Sequence, residues 1–141
     1  MIKICFVCLG NICRSPMAEM IMKNKVKEKH LENEFVIESR ATSYEEDGND
    51  IYPPVKKVLD EHNISYTNHI SRRLEKEDFN KFDYFIGMDD NNIRQINFIL
   101  NNNTKTRKLL EKDILDPWYT RDFEKAYQDI NKGIQELLEK I

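Results

Sequence analysis

The amino-acid sequence predicts an α/β protein: a three-layer α/β/α arrangement with a four-stranded parallel sheet and an anion-binding loop after the first strand. Two observations carry this. Short apolar runs rich in β-branched and aromatic residues alternate with segments of helical periodicity, which implies parallel strands joined by crossover helices. The first such run also passes straight into Cys8-Leu9-Gly10-Asn11-Ile12-Cys13-Arg14-Ser15-Pro16, and helical spacing follows at once. A tight loop from a strand into a helix N-terminus collects backbone N–H groups and the positive end of the helix dipole, which favours an anion.

Taken in order, Ile2 to Val7 reads as a buried strand. Ser15 is suited to cap the next helix and Pro16 to its first position, and Met17, Ala18, Ile21, Met22 and Val26 recur at helical spacing to about His30. Lys23, Lys25, Lys27 and Lys29 form its solvated face. Phe35 to Ser39 is the second strand. Thr42 to Pro54 is a polar loop, and Val55, Val58, Leu59 and His62 mark a short helix. Asn63 to Arg73 is irregular. Phe82 to Met88 is the third strand, and Asp89 caps a helix presenting Ile93, Ile96 and Leu100 on one face. Leu109-Leu110 is the candidate fourth strand. From Asp122 to Ile141 the spacing of Phe123, Tyr127, Ile130, Ile134, Leu137, Leu138 and Ile141 predicts the clearest amphipathic helix of the chain.

The chain has 141 residues, 40% hydrophobic and 33% charged. That is enough for one core burying roughly two-thirds of the unfolded surface, and a single domain over 1–141 is expected. A net charge of −3 offers no basic footprint for nucleic acid. The longest apolar run, Ile4 to Leu9, is too short for a membrane span or a secretory leader. The three cysteines all lie between Cys5 and Cys13 and make no disulfide framework, so a reduced, cytoplasmic protein is expected. Cys5-x2-Cys8-x4-Cys13 lacks the four ligands of a closed zinc site, and Cys5 alternates away from the loop, so no metal is expected.

The chemistry of the loop follows from its two ends. A cysteine thiolate is a strong nucleophile. Arginine presents a planar fork of donors that matches phosphate oxygens. A free thiol has a pKa of about 8.5, and a helix dipole contributes only about 0.3–2 kcal/mol. A cysteine nucleophile at neutral pH therefore needs further stabilisation, which loop amides and a cation can supply. Cys8 with Arg14 inside such a loop is the arrangement that phosphoryl transfer to sulfur requires.

Val7 to Pro16 resembles the signature loop of the low-molecular-weight protein tyrosine phosphatases, and Asp116-Pro117-Trp118-Tyr119 resembles their general-acid loop. Glu38 to Ser43, Gly48-Asn49, His69, Lys76 to Phe79, and Phe82 to Asp89 also resemble family segments, so the likeness spans nearly the whole chain. It implies a flavodoxin/Rossmann-like fold and hydrolysis of phosphotyrosine, or of small aryl phosphates, through a phosphocysteine. Cys8 would be the nucleophile, Arg14 the phosphate clamp, and Asp116 the general acid. Leu9, Gly10, Asn11, Ile12, Cys13, Arg14 and Ser15 would form the phosphate loop.

In this resemblance Ser15 points its hydroxyl at the thiolate, and Asn11 braces the loop with Ser39 and His69. Gly10 admits close approach of backbone to phosphate, and Asn11 suits a positive φ. Tyr44, Trp118 and Tyr119 are the expected walls of the substrate cleft. Many relatives carry an aromatic residue at the position of Glu45, with Tyr44 standing beside it here, and a small residue at that of Arg40. A monomer without cofactor is expected, its site accepting phosphate, sulfate or vanadate. A depressed-pKa Cys8 with Cys13 in the same loop also suggests a redox pair. Arsenate reduction linked to thioredoxin needs cysteines beyond Cys13, which the chain lacks, and neither nucleotide-binding glycine motif occurs. Intact Cys8, Arg14 and Asp116 argue against a non-catalytic phosphate-binding module that reads phosphoproteins.

Overall fold

A computed structural model describes all residues, Met1–Ile141. The strands β1 (Ile2–Cys8), β2 (Phe35–Ala41), β3 (Tyr84–Gly87) and β4 (Thr106–Lys108) form one wholly parallel sheet in the order β2-β1-β3-β4. Ile4 lies opposite Ile37 on one side and Tyr84 on the other, so β1 is central. The helices are α1 (Arg14–Glu28), α2 (Pro53–Glu61), α3 (Asp90–Leu100), the single turn α4 (Pro117–Thr120) and α5 (Phe123–Lys140).

Alternation along β1 divides the molecule into two cores. Ile4, Phe6 and Cys8 point into the larger one, formed with α1, α2 and α5. Cys5 and Val7 point into the smaller one, with Phe85, Leu74, and Ile96, Ile99 and Leu100 of α3. Helices thus cover both faces, as a buried parallel sheet demands. Because α1 packs against both the sheet and α5, it is buried over most of its circumference from Arg14 to Met22 and again at Val26. Its amphipathic signal is correspondingly weak, and only Lys27 and Lys29 of its lysines are fully exposed. No helix is long and apolar enough to cross a membrane.

Chain connection runs from β1 to β2 on one side and to β3 on the other. The strand order therefore reverses at the carboxyl end of β1, where open α/β sheets bind their ligands. Cys8 is the last residue of that strand.

Two expectations need correction. The fourth strand is Thr106–Lys108, not Leu109–Leu110. It is a short, polar edge strand, half-exposed at Thr106 and Lys108, so it carries no apolar run. Leu109 instead packs onto α5 where Gly133 leaves room: a Cβ there would lie 2.5 Å from Leu109 Cγ. The helix α2 also begins at Pro53 rather than Val55, since two prolines fit a first turn whose N–H groups have no helical acceptor. Arg40 is buried on the smaller-core side, 2.9 Å from Glu38 and 3.6 Å from Asp78, with its guanidinium over Phe82.

Candidate active site

The loop after β1 is held open by pulling its carbonyls outward. Cys8 O accepts from Thr42 N, Leu9 O from the N–H and hydroxyl of Ser43, and Gly10 O from Ser71 Oγ. Asn11 O lies 2.7 Å from His69 Nε2, Ile12 O accepts from Tyr52 N, and Cys13 O from Met17 N. With every carbonyl from Cys8 to Cys13 engaged, the amides of Leu9 through Cys13 donate to no protein acceptor. Unpaired N–H groups in a loop whose carbonyls all face out form a concave donor array for an anion. Asn11 makes the reversal at φ 59°, a value that asparagine tolerates.

Cys8 Sγ lies 3.0 Å from Ser15 Oγ and 3.4 Å from Ser15 N. Ser15 is therefore not the helix cap. The helix starts two residues earlier than expected, at Arg14, with no side-chain cap, and the Ser15 hydroxyl is turned to the sulfur. Asn11 Nδ2 donates to Ser15 Oγ at 2.7 Å and to Ser39 Oγ at 2.9 Å. The contribution of His69 is to the Asn11 carbonyl rather than to the side chain.

Arg14 is buried at 2% exposure. Nη1 spends both hydrogens, on Asp89 Oδ2 at 2.7 Å and on Ile114 O at 2.7 Å. Nη2 makes only a 3.5 Å contact with Asp116 Oδ2, so the edge of the fork facing the loop stays free for an anion. Burial works against the Arg14 charge, but Cys8, Asp116 and Asp89 outweigh it and hold the guanidinium more firmly protonated than usual. Burial pushes the pKa of the Cys13 thiol strongly up, helped by Cys8 and Asp116, which keeps it protonated. Cys5 is likewise held as a thiol by burial, on the opposite face of the sheet.

Asp116 caps α4, its Oδ1 accepting from Trp118 N at 3.0 Å, with Pro117 at the first helical position. Behind that turn Trp118 packs on Tyr52, ring centroids 4.8 Å apart. Arg121, in the left-handed conformation, lies over Tyr52, Trp118 and Phe123 and donates to the Tyr52 hydroxyl. The acid loop is thus propped against α2 and the start of α5.

A cavity of about 130 Å³ opens over the sulfur, walled by the loop, Asp116, Trp118, Tyr119, Glu45 and Glu46. Tyr44 is not among its walls, and here the sequence expectation is corrected. Its hydroxyl donates to Glu75 Oε1 and its ring lies under Arg73, so the chain turns Glu45 and Glu46 to the opening instead. Gly10 lies beneath that wall, where a Cβ would come within 3.3 Å of Glu46 Cγ.

Residues 3–141 match the family model of the low molecular weight phosphotyrosine protein phosphatases. The chain belongs to this family. Low molecular weight protein-tyrosine-phosphatase PtpA of Staphylococcus aureus is 38% identical over an alignment covering all of this chain and 94% of PtpA. SP-PTP, a low molecular weight protein tyrosine phosphatase from Streptococcus pyogenes, superposes with a TM-score of 0.93 at 43% identity, covering 100% of this chain and 93% of its own. YfkJ from Bacillus subtilis superposes with a TM-score of 0.96 at 35% identity, covering 100% and 94%. The protein is accordingly a protein tyrosine phosphatase, a hydrolase of phosphotyrosine substrates, and the four-stranded sheet with its phosphate loop after β1 is the family fold.

Several residues that shape the phosphatase site carry little or no signal in the sequence. Asp89 was legible only as a helix cap, yet it also clamps Arg14. Ser43, Ser71 and Tyr52, which pull the loop carbonyls outward, carry no local signal because each acts from another loop. Glu19, buried behind Ser39, was hidden within the first turns of α1.

Proposed function

We propose that Cys8 attacks the phosphorus of a phosphotyrosine monoester in line with the ester oxygen. The S–P bond forms as the P–O bond to tyrosine breaks. Asp116 gives its proton to the departing phenolate oxygen, a step that general acids accelerate by roughly 10²–10⁴. In the second half water attacks phospho-Cys8, the Asp116 carboxylate takes its proton, and phosphate departs with the thiolate restored. The amides of Leu9 to Cys13 and the free edge of Arg14 hold the non-bridging oxygens throughout, where negative charge is concentrated. Ser15 donates to the sulfur as attacking and leaving group, while Asn11, Ser39 and His69 keep the loop in shape. Trp118 and Tyr119 flank the aryl ring.

The reading is carried by one observation: a cysteine sulfur that shares one cavity with a loop whose carbonyls are all tied outward and with a buried guanidinium. Proteins bearing phosphotyrosine and small aryl phosphates are the substrates, and phosphate, sulfate and vanadate occupy the same cradle. Residues 1–141 act as one catalytic domain, a cytoplasmic monomer that binds neither nucleic acid nor membrane. Cys13, protonated in the same loop, serves as the partner that traps oxidised Cys8.

The direct test is hydrolysis of an aryl phosphate by wild type and Cys8→Ser, with and without EDTA and vanadate. Serine does not ionise in this loop at neutral pH, so the variant is expected to lose turnover while keeping its fold and some phosphate binding. Vanadate should inhibit the wild type, and EDTA should leave its rate unchanged. Substantial turnover by Cys8→Ser would remove the covalent mechanism.

A further inference from the structure

Three buried carboxylates, Glu19, Asp78 and Asp129, take no part in the catalytic steps, and one of them lies behind the phosphate loop. Glu19 in α1 is only 7% exposed, yet it lies at the end of a hydrogen-bond chain that reaches the nucleophile. Its Oε1 accepts from Ser39 Oγ at 2.6 Å, and its Oε2 from Lys23 Nζ at 2.6 Å. Ser39 Oγ faces Asn11 Nδ2, Asn11 Nδ2 faces Ser15 Oγ, and Ser15 Oγ faces Cys8 Sγ.

The direction of each donor is dictated by what the two ends can do. An ionised carboxylate only accepts, so the single Ser39 hydrogen is committed to Glu19. Ser39 is then an obligate acceptor towards Asn11, and the Asn11 atom facing it must be the amide nitrogen. On the other side of the same amide, Asn11 Oδ1 accepts from Arg72 N at 3.3 Å, which favours the same orientation. The second hydrogen of that nitrogen points at Ser15 Oγ, which must accept it. The one hydrogen left to Ser15 is therefore available to Cys8 Sγ. With the amide reversed, Oδ1 would take the Ser15 hydrogen and turn hydroxyl lone pairs towards the sulfur, opposing the thiolate.

We infer that Glu19 is a positioning residue, which sets the polarity of the Ser39–Asn11–Ser15 chain so that Ser15 donates to the Cys8 sulfur. Lys23 neutralises the carboxylate, so the chain is polarised without leaving net negative charge behind the nucleophile. Arg14 and Asp116, the charged groups that line the cavity with Cys8, make no hydrogen bond to Glu19, so a change there reaches the sulfur only through Ser15. The inference rests on Cys8 being the nucleophile.

The test reads the sulfur directly. The rate of Cys8 alkylation by iodoacetate is measured against pH for wild type, Glu19→Gln, Ser39→Ala and the double variant, with circular dichroism as a check on folding. Glutamine can present its N–H to Ser39 and so releases the constraint on the Asn11 amide. At pH 6 each single variant is expected to react about two- to tenfold more slowly, the worth of one ordinary hydrogen bond, since the Ser15 hydroxyl is released from its direction rather than removed. At high pH, where every thiol is ionised, the rates should converge. Because both changes break the same chain, the double variant should lose no more than either single one. A wild-type profile in either single variant, or losses that multiply in the double variant, would overturn the role of Glu19. If Glu19→Gln does not fold, a wild-type profile in Ser39→Ala still overturns the chain. Aryl phosphate hydrolysis that persists in wild type after Cys8 is alkylated would instead overturn the nucleophile assignment.

Discussion

Asp89 and Arg14 are joined at 2.7 Å, and the same carboxylate caps a helix. Asp89 Oδ1 accepts from Asn92 N in the first turn of α3, while Oδ2 takes a hydrogen of Arg14 Nη1. A helix on one face of the sheet is thereby coupled to the phosphate clamp beyond the carboxyl end of β1. The Ile114 carbonyl takes the other hydrogen of Nη1, which leaves Nε and Nη2 without a close acceptor in a cavity that Arg14 shares with the loop.

Asp89→Ala should therefore damage both stability and phosphate binding. Loss of an N-cap costs about 1 kcal/mol, and a buried arginine losing its closest carboxylate adds to that. Unfolding in urea is expected to show a loss of about 1–3 kcal/mol, with weaker inhibition by phosphate. Asp89→Asn keeps a side-chain oxygen for the cap, so it should recover much of the stability while leaving phosphate binding impaired. Equal phosphate inhibition in wild type and both variants would mean that Arg14 is aimed without Asp89.

Asp116→Ala should slow hydrolysis of phosphotyrosine more than that of an aryl phosphate with an acidic phenol. A good leaving group departs with little protonation, so the penalty should shrink as the phenol becomes more acidic. A leaving-group series measured on both proteins checks this. A constant loss across the series would place the general acid elsewhere.

Cys13→Ser should convert reversible oxidative inactivation into permanent loss. Peroxide oxidises the Cys8 thiolate to a sulfenic acid. The neighbouring Cys13 thiol then displaces water to form a disulfide, halting oxidation before the sulfinic stage. Dithiothreitol should restore wild-type activity after peroxide treatment, and peptide mass spectrometry should find Cys8 joined to Cys13 with Cys5 free. Full recovery of Cys13→Ser under dithiothreitol would remove the protective role.

Tyr44→Ala should leave KM for a small aryl phosphate within about twofold of wild type, because the ring packs beneath Arg73 and away from the cavity. Trp118→Ala should raise KM several-fold, losing a cleft wall and the packing against Tyr52 that props the Asp116 turn. Steady-state kinetics on the two variants separates them. A larger effect at Tyr44 than at Trp118 would reverse the assignment of the wall.

The sequence by itself determined the elements whose information is local. Cys8 and Arg14 stand in one short loop between an apolar strand and a helix, so spacing alone brings them to one anion site. Asp116-Pro117 starts its turn in the way the residue pair prefers, and the helical periodicity of α5 survives because only one of its faces is buried. Tertiary structure alone decided what lies behind those residues. Whether Asp89 only caps a helix or also holds Arg14 depends on contact across 75 positions of chain, and whether Ser71 opens the loop depends on contact across 61. The polar edge strand β4 exists because β3 offers it an unpaired ladder, not because its side chains seek burial. The choice of Glu45 and Glu46 over Tyr44 as cavity wall follows from the loop's rotation, which Glu75 and Arg73 set by engaging the tyrosine from another segment. Periodicity reports which face of an element is buried; which distant polar group meets it is set only when the layers close.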